Sequence, residues 1–156
     1  MKKVLYILFG VVICLLVGFL SRLLHEQAMI FWYPTLLKSA LTPPDIVLPI
    51  VWGVLYILMG ISVGLLYNVE DVARKRLLWL FAIQLLFNVC WNYAFFYMQN
   101  PALGLVVLII LDALAVIFFT GALKVKKSSA YTFLPYMVWI FFATYLNLYI
   151  LVNNWF

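Results

Sequence analysis

The chain alternates between long apolar stretches and short polar ones. Five stretches contain at most one charged residue each, at residues 4–21, 46–69, 77–98, 102–123 and 130–152. Each is close to the roughly 20 residues that an α-helix needs to cross the hydrocarbon core of a bilayer. A membrane β-strand would alternate apolar and polar residues over about ten positions, and no such alternation occurs. The pattern predicts an all-α integral membrane protein with a bundle of five transmembrane helices.

The polar connections between these stretches differ in length. Asn100-Pro101 interrupts the run between the third and fourth stretches and predicts a tight turn, because proline does not continue a helix. Residues 23–45 predict a long, aromatic-rich loop between helices 1 and 2. Such a loop acts either as a lid over a binding site or as an anchor in the lipid headgroups. We favour the lid and leave the anchor open.

The composition argues against a soluble domain, and the distribution of basic residues predicts the orientation of the protein in the membrane. Hydrophobic residues make up 69% of the chain and charged residues 10%, so residues 1–156 are expected to form one membrane domain. Five spans place most basic residues on the side of the N-terminus, namely Lys2, Lys3, Arg74, Lys75, Arg76, Lys124, Lys126 and Lys127. Arg22 and Lys38 lie on the other side. This bias predicts a cytoplasmic N-terminus and an external C-terminus in a bacterial plasma membrane, and short juxtamembrane clusters of this kind do not indicate nucleic-acid binding.

Aromatic and neutral polar side chains recur on one face of three predicted helices. They are Trp52 and Tyr56 in helix 2, Asn88, Trp91, Asn92 and Phe95 in helix 3, and Trp139, Phe142, Ala143, Leu146 and Asn147 in helix 5. An amide without a partner is costly in hydrocarbon, so the asparagines are expected to face protein or a cavity. For any one of these residues taken alone, interhelical hydrogen bonding and packing is the favoured interpretation. Together they predict one pocket for a large, flat, mostly apolar ligand.

Several single features fit structural roles. Asp112 lies near the middle of helix 4, where a carboxylate must be neutral or partnered, and an interhelical hydrogen bond is the favoured interpretation. Gly60-x-x-x-Gly64 permits close helix packing, within the bundle or in a dimer. Cys14 and Cys90 lie inside predicted spans and are interpreted as small core residues.

Standard catalytic and metal-binding patterns are missing from the sequence. There is no nucleotide loop, zinc pattern, hydrolase triad or carboxylate pair, so neither a metal site nor a cofactor is predicted. His25 is expected to make a loop contact rather than to act as a general base. An ion-coupled transporter is disfavoured, since Asp112 has no second group in the membrane with which to complete a proton relay.

A longer pattern begins in the connection before helix 2 and continues through helices 3, 4 and 5. It consists of Trp32-Tyr33, Lys38, Pro43-Pro44, Pro49-x-Val51-Trp52-Gly53-x-Leu55-Tyr56-x-x-Met59-Gly60, then Gln84, Asn88, Trp91, Phe95-Phe96, Asp112 and Pro135-Tyr136-x-x-Trp139-x-x-Phe142-Ala143-Thr144-x-Leu146-Asn147. These motifs, in this order, resemble the TspO/MBR family of tryptophan-rich sensory proteins and translocator proteins. The resemblance implies a five-helix bundle, commonly a homodimer, that binds porphyrins and benzodiazepine-site ligands. The family's cholesterol-recognition pattern needs a basic residue after Tyr149, and none follows.

The resemblance and the pocket lead to two functional hypotheses. In the first, the protein is a membrane receptor or carrier for protoporphyrin IX and related tetrapyrroles, with Arg22, His25 or Lys38 near the propionates. Its expected ligand-binding residues are Tyr33, Pro43, Pro44, Trp52, Tyr56, Asn88, Trp91, Asn92, Phe95, Trp139, Phe142, Ala143, Leu146 and Asn147. In the second, it is a light- and oxygen-dependent porphyrin-degrading enzyme in which Trp52 and Trp139 are oxidised.

Overall fold

A computed structural model describes residues 2–154, which form a bundle of five long helices. The helices are α1 (Lys2–Phe31), α2 (Val47–Tyr67), α3 (Ala73–Asn92, continued by a π-helical turn at Tyr93–Tyr97), α4 (Pro101–Val125) and α5 (Lys127–Asn153). Each is long and apolar enough to cross a membrane. The predicted all-helical membrane fold is thereby confirmed.

Helix α1 is longer than the sequence suggested. The predicted loop from residue 23 is wrong in its first part, since the helix continues to Phe31 and the connection to α2 covers only residues 32–46. No glycine or proline occurs between Gly18 and Pro34, and the leucines, Glu26, Gln27 and Ala28 favour helix. The chain leaves the helix at a short 3-10 turn, Tyr33–Thr35, that contains Pro34.

The turn between α3 and α4 forms where the sequence predicted it. The side chain of Asn100 caps α4 by accepting a hydrogen bond from the backbone N–H of Leu103 at 3.0 Å. Pro101 occupies the first turn of α4, where a missing N–H costs nothing. Gln99 has a φ of 50°, a left-handed conformation that reverses the chain direction within a few residues.

The helices form a ring in the order α1, α2, α5, α4, α3, and one seam of this ring is weak. Helices α1 and α2 pack closely because three glycines face one another: a Cβ on Gly60 would collide with the backbone of Val11, and one on Gly64 with Ile7, while Gly10 faces Gly60 from α1. The close packing predicted for Gly60 and Gly64 is therefore confirmed, within the chain. Helices α1 and α3, by contrast, have few contacts with each other, and α1 packs more closely against the π-helical turn that follows α3.

The polar groups inside the spans mostly find partners on neighbouring helices. Thr144 of α5 donates a hydrogen bond to Oδ2 of Asp112 at 2.8 Å, so the interhelical bond predicted for Asp112 is confirmed. Ser62 and Ser129 join α2 to α5 through mutual hydrogen bonds of 2.8 Å between hydroxyl and carbonyl groups. Cys14 is fully buried and Cys90 is half-buried, and both are free thiols.

Candidate functional site

Three tryptophans from three helices meet in the half of the bundle where α2 begins and α3 ends. The ring centroid of Trp52 in α2 lies 5.9 Å from that of Trp91 in α3 and 6.4 Å from that of Trp139 in α5. The Trp52 and Trp91 rings are inclined by 30°, whereas Trp139 meets Trp52 edge-on at 88°. Aromatic pairs in these offset and edge-to-face arrangements attract one another beyond their hydrophobic burial. We call these three residues the tryptophan cluster.

A small cavity borders the tryptophan cluster. Its volume is about 60 Å³, and its lining consists of Tyr33, Leu48, Trp52, Trp91, Phe95, Phe96, Trp139, Ala143, Leu146, Asn147 and Ile150. The lining is aromatic and aliphatic apart from the Asn147 amide, the Tyr33 hydroxyl and the indole N–H groups. Eight of the residues that the sequence singled out for ligand binding are thus brought together around one space.

Asn147 fixes the polar part of this lining. Its Oδ1 accepts a hydrogen bond from the indole N–H of Trp91 at 3.3 Å, and its Nδ2 donates to the carbonyl of Pro101 at 2.7 Å. Gly104 of α4 leaves room for the amide, since a Cβ there would lie 2.8 Å from Oδ1. The amide therefore orients Trp91 and joins α3, α4 and α5 at the cavity wall.

The other asparagines of the predicted site lie outside the cavity lining. Asn88 accepts a hydrogen bond from the Tyr56 hydroxyl at 2.7 Å and lies 3.4 Å from the Tyr136 hydroxyl. Asn92 donates to the Asn88 carbonyl at 3.1 Å, and its Oδ1 lies 3.1 Å from Nδ1 of His25. The bonds to Tyr56, Tyr136 and His25 are interhelical hydrogen bonds of the kind that the sequence left open as an alternative, whereas the bond from Asn92 to Asn88 lies within α3. Six residues of the predicted set do not line the cavity, namely Pro43, Pro44, Tyr56, Asn88, Asn92 and Phe142.

His25 belongs to helix α1 and not to a loop. The predicted loop contact is wrong in this respect, because α1 continues past residue 25. Its ring lies 5.1 Å from that of Phe96, and its bond to Asn92 connects α1 to the end of α3. His25 thus contributes to the packing of α1 against the end of α3 and the π-helical turn.

The connection between α1 and α2 reaches the cavity and is held by hydrogen bonds within itself and to α5. Tyr33 is buried in the cavity lining, and Lys38 donates a hydrogen bond to the Tyr33 carbonyl at 2.9 Å while its ammonium group lies 4.6 Å from the ring centroid. The Ser39 hydroxyl lies 2.9 Å from that of Tyr145 in α5. Burial raises the pKa of Tyr33 to about 12, with a further contribution from the Asp45 carboxylate, so its hydroxyl stays neutral and able to donate.

A second tie joins the connection to the end of α5. Asn154 accepts a hydrogen bond from the Leu37 N–H at 2.9 Å and donates one to the Leu37 carbonyl at 3.1 Å. The Asn154 side chain thus pairs with both the backbone N–H and the backbone carbonyl of Leu37, which has no helical hydrogen-bond partners. The connection is held against α5 by Asn154 and Tyr145 together.

Sequence reasoning missed three residues of the lining, for two different reasons. Leu48 lies four residues before Trp52 and Ile150 three residues after Asn147, so helical periodicity could have identified both. Phe96 is different, because Phe95 and Phe96 are adjacent and a regular helix would turn one of them away. The π-helical turn at Tyr93–Tyr97 widens the helix locally and lets both rings reach the cavity.

The cavity is much smaller than a site for a tetrapyrrole. Small-molecule sites usually measure about 300 to 1,000 Å³, against about 60 Å³ here. The tryptophan cluster and the connection fill the space that a large ligand would need. The site as it stands is therefore too small for such a ligand, and entry of a flat ligand of porphyrin size requires movement of the connection or of the tryptophan side chains.

Comparison with known proteins finds similarity to one family over most of the chain. The sequence profile described as the TspO/MBR family matches residues 10–152. The chain is similar to the tryptophan-rich protein TspO of Chlorobaculum tepidum, at 35% identity over 98% of each chain, and to that of Archaeoglobus fulgidus, at 32% identity over 97% of this chain and 99% of the relative. It is also similar to the human translocator protein, at 32% identity over 81% of this chain and 76% of the relative.

Proposed function

The chain belongs to the TspO/MBR family, and from this premise we propose that it is a membrane receptor for porphyrins such as protoporphyrin IX and for flat ligands of the benzodiazepine-site type. The observation that carries this proposal is the convergence of Trp52, Trp91 and Trp139 on one cavity. Indole faces stack on flat aromatic ligands, and few polar groups are needed to orient them.

The receptor proposal requires the site to open. The hydrogen bonds of Ser39 with Tyr145 and of Leu37 with Asn154 are the ones that must break for the connection to move from α5. A net hydrogen bond contributes only about 0.5 to 1.5 kcal/mol, so ligand stacking on the tryptophan cluster can offset their loss. Arg22 and Lys38 are the proposed partners of the propionates, with Lys38 first leaving the Tyr33 carbonyl.

A fluorescence titration with protoporphyrin IX in the dark, on purified protein in detergent, tests the proposal. Trp52→Ala and Trp139→Ala are each expected to weaken binding about tenfold, equivalent to about 1.4 kcal/mol of lost stacking and burial. Trp79→Ala is the matched control, since Trp79 lies in α3 with 73% of its surface exposed. Parent-like binding by both cluster variants would show that porphyrin does not use this site.

A second candidate function is light- and oxygen-dependent degradation of the porphyrin. It is favoured by the spacing of the tryptophan cluster, because a ligand in van der Waals contact with Trp52 would have two further indoles within 6.4 Å of that ring. The excited porphyrin would withdraw an electron from Trp52 or Trp139, and oxygen would be the terminal oxidant. Illumination of the bound complex with and without oxygen tests this function. Trp52→Phe and Trp139→Phe should slow the loss of the porphyrin absorbance. Unchanged rates in both variants would show that neither tryptophan is the electron donor.

Two further proposals concern the orientation of the protein in the membrane and whether it carries its ligand across the bilayer. We infer a cytoplasmic N-terminus in a bacterial plasma membrane from the basic residues at that end. Labelling of Lys75→Cys by a membrane-impermeant maleimide in whole cells tests this orientation. Reaction before the cells are lysed would show that residue 75, and with it the N-terminus, lies outside. Carriage of the porphyrin across the bilayer, as opposed to sensing, is tested by ligand flux in liposomes.

We also propose a homodimer, in line with the resemblance to the family. The outer faces of the described helices carry many exposed apolar side chains, which a partner helix covers as readily as lipid does. The mass of the protein in detergent, measured by light scattering at several protein concentrations, tests this assembly. A single mass equal to one chain at every concentration would exclude it.

A further inference from the structure

A second and larger void lies in the weak seam between α1 and α3, at the opposite end of the bundle. This groove has a volume of about 560 Å³, and its lining consists of Leu5, Tyr6, Phe9, Gly10, Ile13, Cys14, Val63, Gly64, Tyr67, Leu78, Phe81, Ala82 and Leu85. It shares no residue with the cavity at the tryptophan cluster. Its walls are α1 and α3, and α2 forms its floor because the glycine contacts draw α2 tightly against α1.

The dimensions of the groove match one leaflet of a membrane. Along α1 it extends from Leu5 to Cys14, a rise of about 13.5 Å at 1.5 Å per residue. The hydrocarbon core of a bilayer is about 30 Å thick, so the groove covers about half of it. The volume also lies within the range of about 300 to 1,000 Å³ that is usual for small-molecule sites. A single lipid acyl chain has the corresponding length and apolar character.

Basic residues continue both walls of the groove at its outer end. Lys2 precedes Leu5 by three residues, and Lys75 precedes Leu78 by three, so each lies one turn beyond the apolar lining on the same side of its helix. Lys3 and Arg76 are close by in sequence and exposed. This end of the bundle also carries Glu70 and Asp71, so the basic residues outnumber the acidic ones.

Aromatic and cationic side chains connect the groove to this basic end. The rings of Tyr6 and Tyr67, which both line the groove, lie 4.6 Å apart. The guanidinium of Arg74 lies 5.5 Å from the Tyr67 ring centroid and donates hydrogen bonds to the carbonyls of Tyr67 and Val69. Its Nε is buried and has no hydrogen-bond partner among residues 2–154.

From this arrangement we propose that the groove is a binding site for an anionic membrane phospholipid. One acyl chain fills the groove between α1 and α3, and the phosphate lies among Lys2, Arg74 and Lys75. Basic pockets between transmembrane helices recognise anionic headgroups in this way, and each lysine or arginine near the surface contributes about 1 kcal/mol of attraction.

Charge also argues against a second copy of the chain as the occupant. In a two-fold dimer within one membrane, both copies have the same orientation, and an interface at this groove would place their basic ends side by side. Like charges across an interface are unfavourable. An anionic lipid instead neutralises the same residues.

Native mass spectrometry of delipidated protein, titrated with phosphatidylglycerol or phosphatidylcholine of identical acyl chains, tests the proposal. The parent protein is expected to bind one phosphatidylglycerol per chain at least fivefold more tightly than phosphatidylcholine. Lys2→Gln combined with Lys75→Gln is expected to abolish this preference. Lys124→Gln combined with Lys127→Gln, which removes the same charge at the same end of the bundle, is the matched control and should keep it.

The apolar part of the site is tested with Ala82→Phe, which places a ring in the groove. It should reduce binding of both lipids about tenfold, whereas Ile83→Phe on the neighbouring position, which does not line the groove, should not. Equal binding of the two lipids by the parent, or equal losses in the two double-lysine variants, would overturn the proposal. So would efficient disulfide formation between chains through Ala82→Cys, which would show that a second copy covers the groove. The exposed lysine variants decide the question if Ala82→Phe fails to fold.

Discussion

The cavity at the tryptophan cluster and the groove between α1 and α3 are both apolar, but they differ in volume and in the side chains that line them. The cavity at the tryptophan cluster measures about 60 Å³ and is lined by aromatic rings and by Tyr33 of the connection between α1 and α2, which is hydrogen-bonded to α5. The groove at the basic end measures about 560 Å³ and lies along a seam where two helices have few contacts. Trp52 makes four aromatic contacts at the first site, whereas the second has the Tyr6–Tyr67 pair and Phe81, whose ring contacts Phe118 and Phe133.

In our proposals the receptor site is the smaller of these two voids, so it is identified by the chemistry of the lining and not by volume. Membrane-facing grooves are filled by lipid at little cost, since lipid tails are as apolar as the groove walls. An aromatic cavity of this kind is costly to assemble, because large rings from three helices and the Asn147 amide must be positioned together. We therefore assign the specific ligand to the smaller void and the lipid to the larger one.

The largest expected effect comes from the glycine contact that shapes the groove floor. Gly60→Ala places a Cβ against the backbone of Val11, and overpacking of this kind costs about 1 to 3 kcal/mol. We expect a lower unfolding midpoint in detergent and altered lipid binding at the groove. The matched control is Gly53→Ala in the same helix, where a Cβ would have no neighbour within 4 Å and alanine favours helix. Equal destabilisation by the two variants would contradict the contact.

An intermediate effect is expected where the connection closes the tryptophan cavity. Asn154→Ala removes both hydrogen bonds to Leu37 and should raise the association rate of protoporphyrin IX about two- to tenfold, since net hydrogen bonds contribute about 0.5 to 1.5 kcal/mol. Stopped-flow fluorescence in the dark measures this rate. Asn153→Ala is the matched control, because Asn153 bonds only to the Tyr149 carbonyl of its own helix. Identical rates in both variants would mean that the connection does not limit entry.

The smallest expected effect is the absence of coupling between the two sites. Ala82→Phe should leave protoporphyrin IX affinity within about twofold of the parent, and Trp139→Ala should do the same for phosphatidylglycerol, because separate sites without shared partners behave additively. Fluorescence titration and native mass spectrometry measure the two affinities. A larger change in either direction would show that the seam and the tryptophan cluster move together.

Much of the candidate site could be predicted from the sequence, and its errors have identifiable causes. Helical spacing placed Trp139, Ala143, Leu146 and Asn147 on one face of α5, and all four line the cavity. Spacing did not distinguish an amide that reaches the cavity from one that bonds to another helix. Asn88 shares a face with Trp91, yet its Oδ1 accepts a hydrogen bond from the Tyr56 hydroxyl of α2. No pattern within α3 reveals that partner.

The sequence by itself determined the class of the protein, the five spans and the asymmetric distribution of its basic residues. These are local properties, because hydrocarbon excludes charge and unpaired backbone from each segment separately. Only the three-dimensional structure decided that Phe95 and Phe96 line the same cavity, that Asn154 bonds to Leu37 of the connection, and that α1 and α3 separate at the basic end. The last two depend on contacts between residues far apart in the chain, and the first on a π-helical turn at Tyr93–Tyr97, and hydropathy encodes neither.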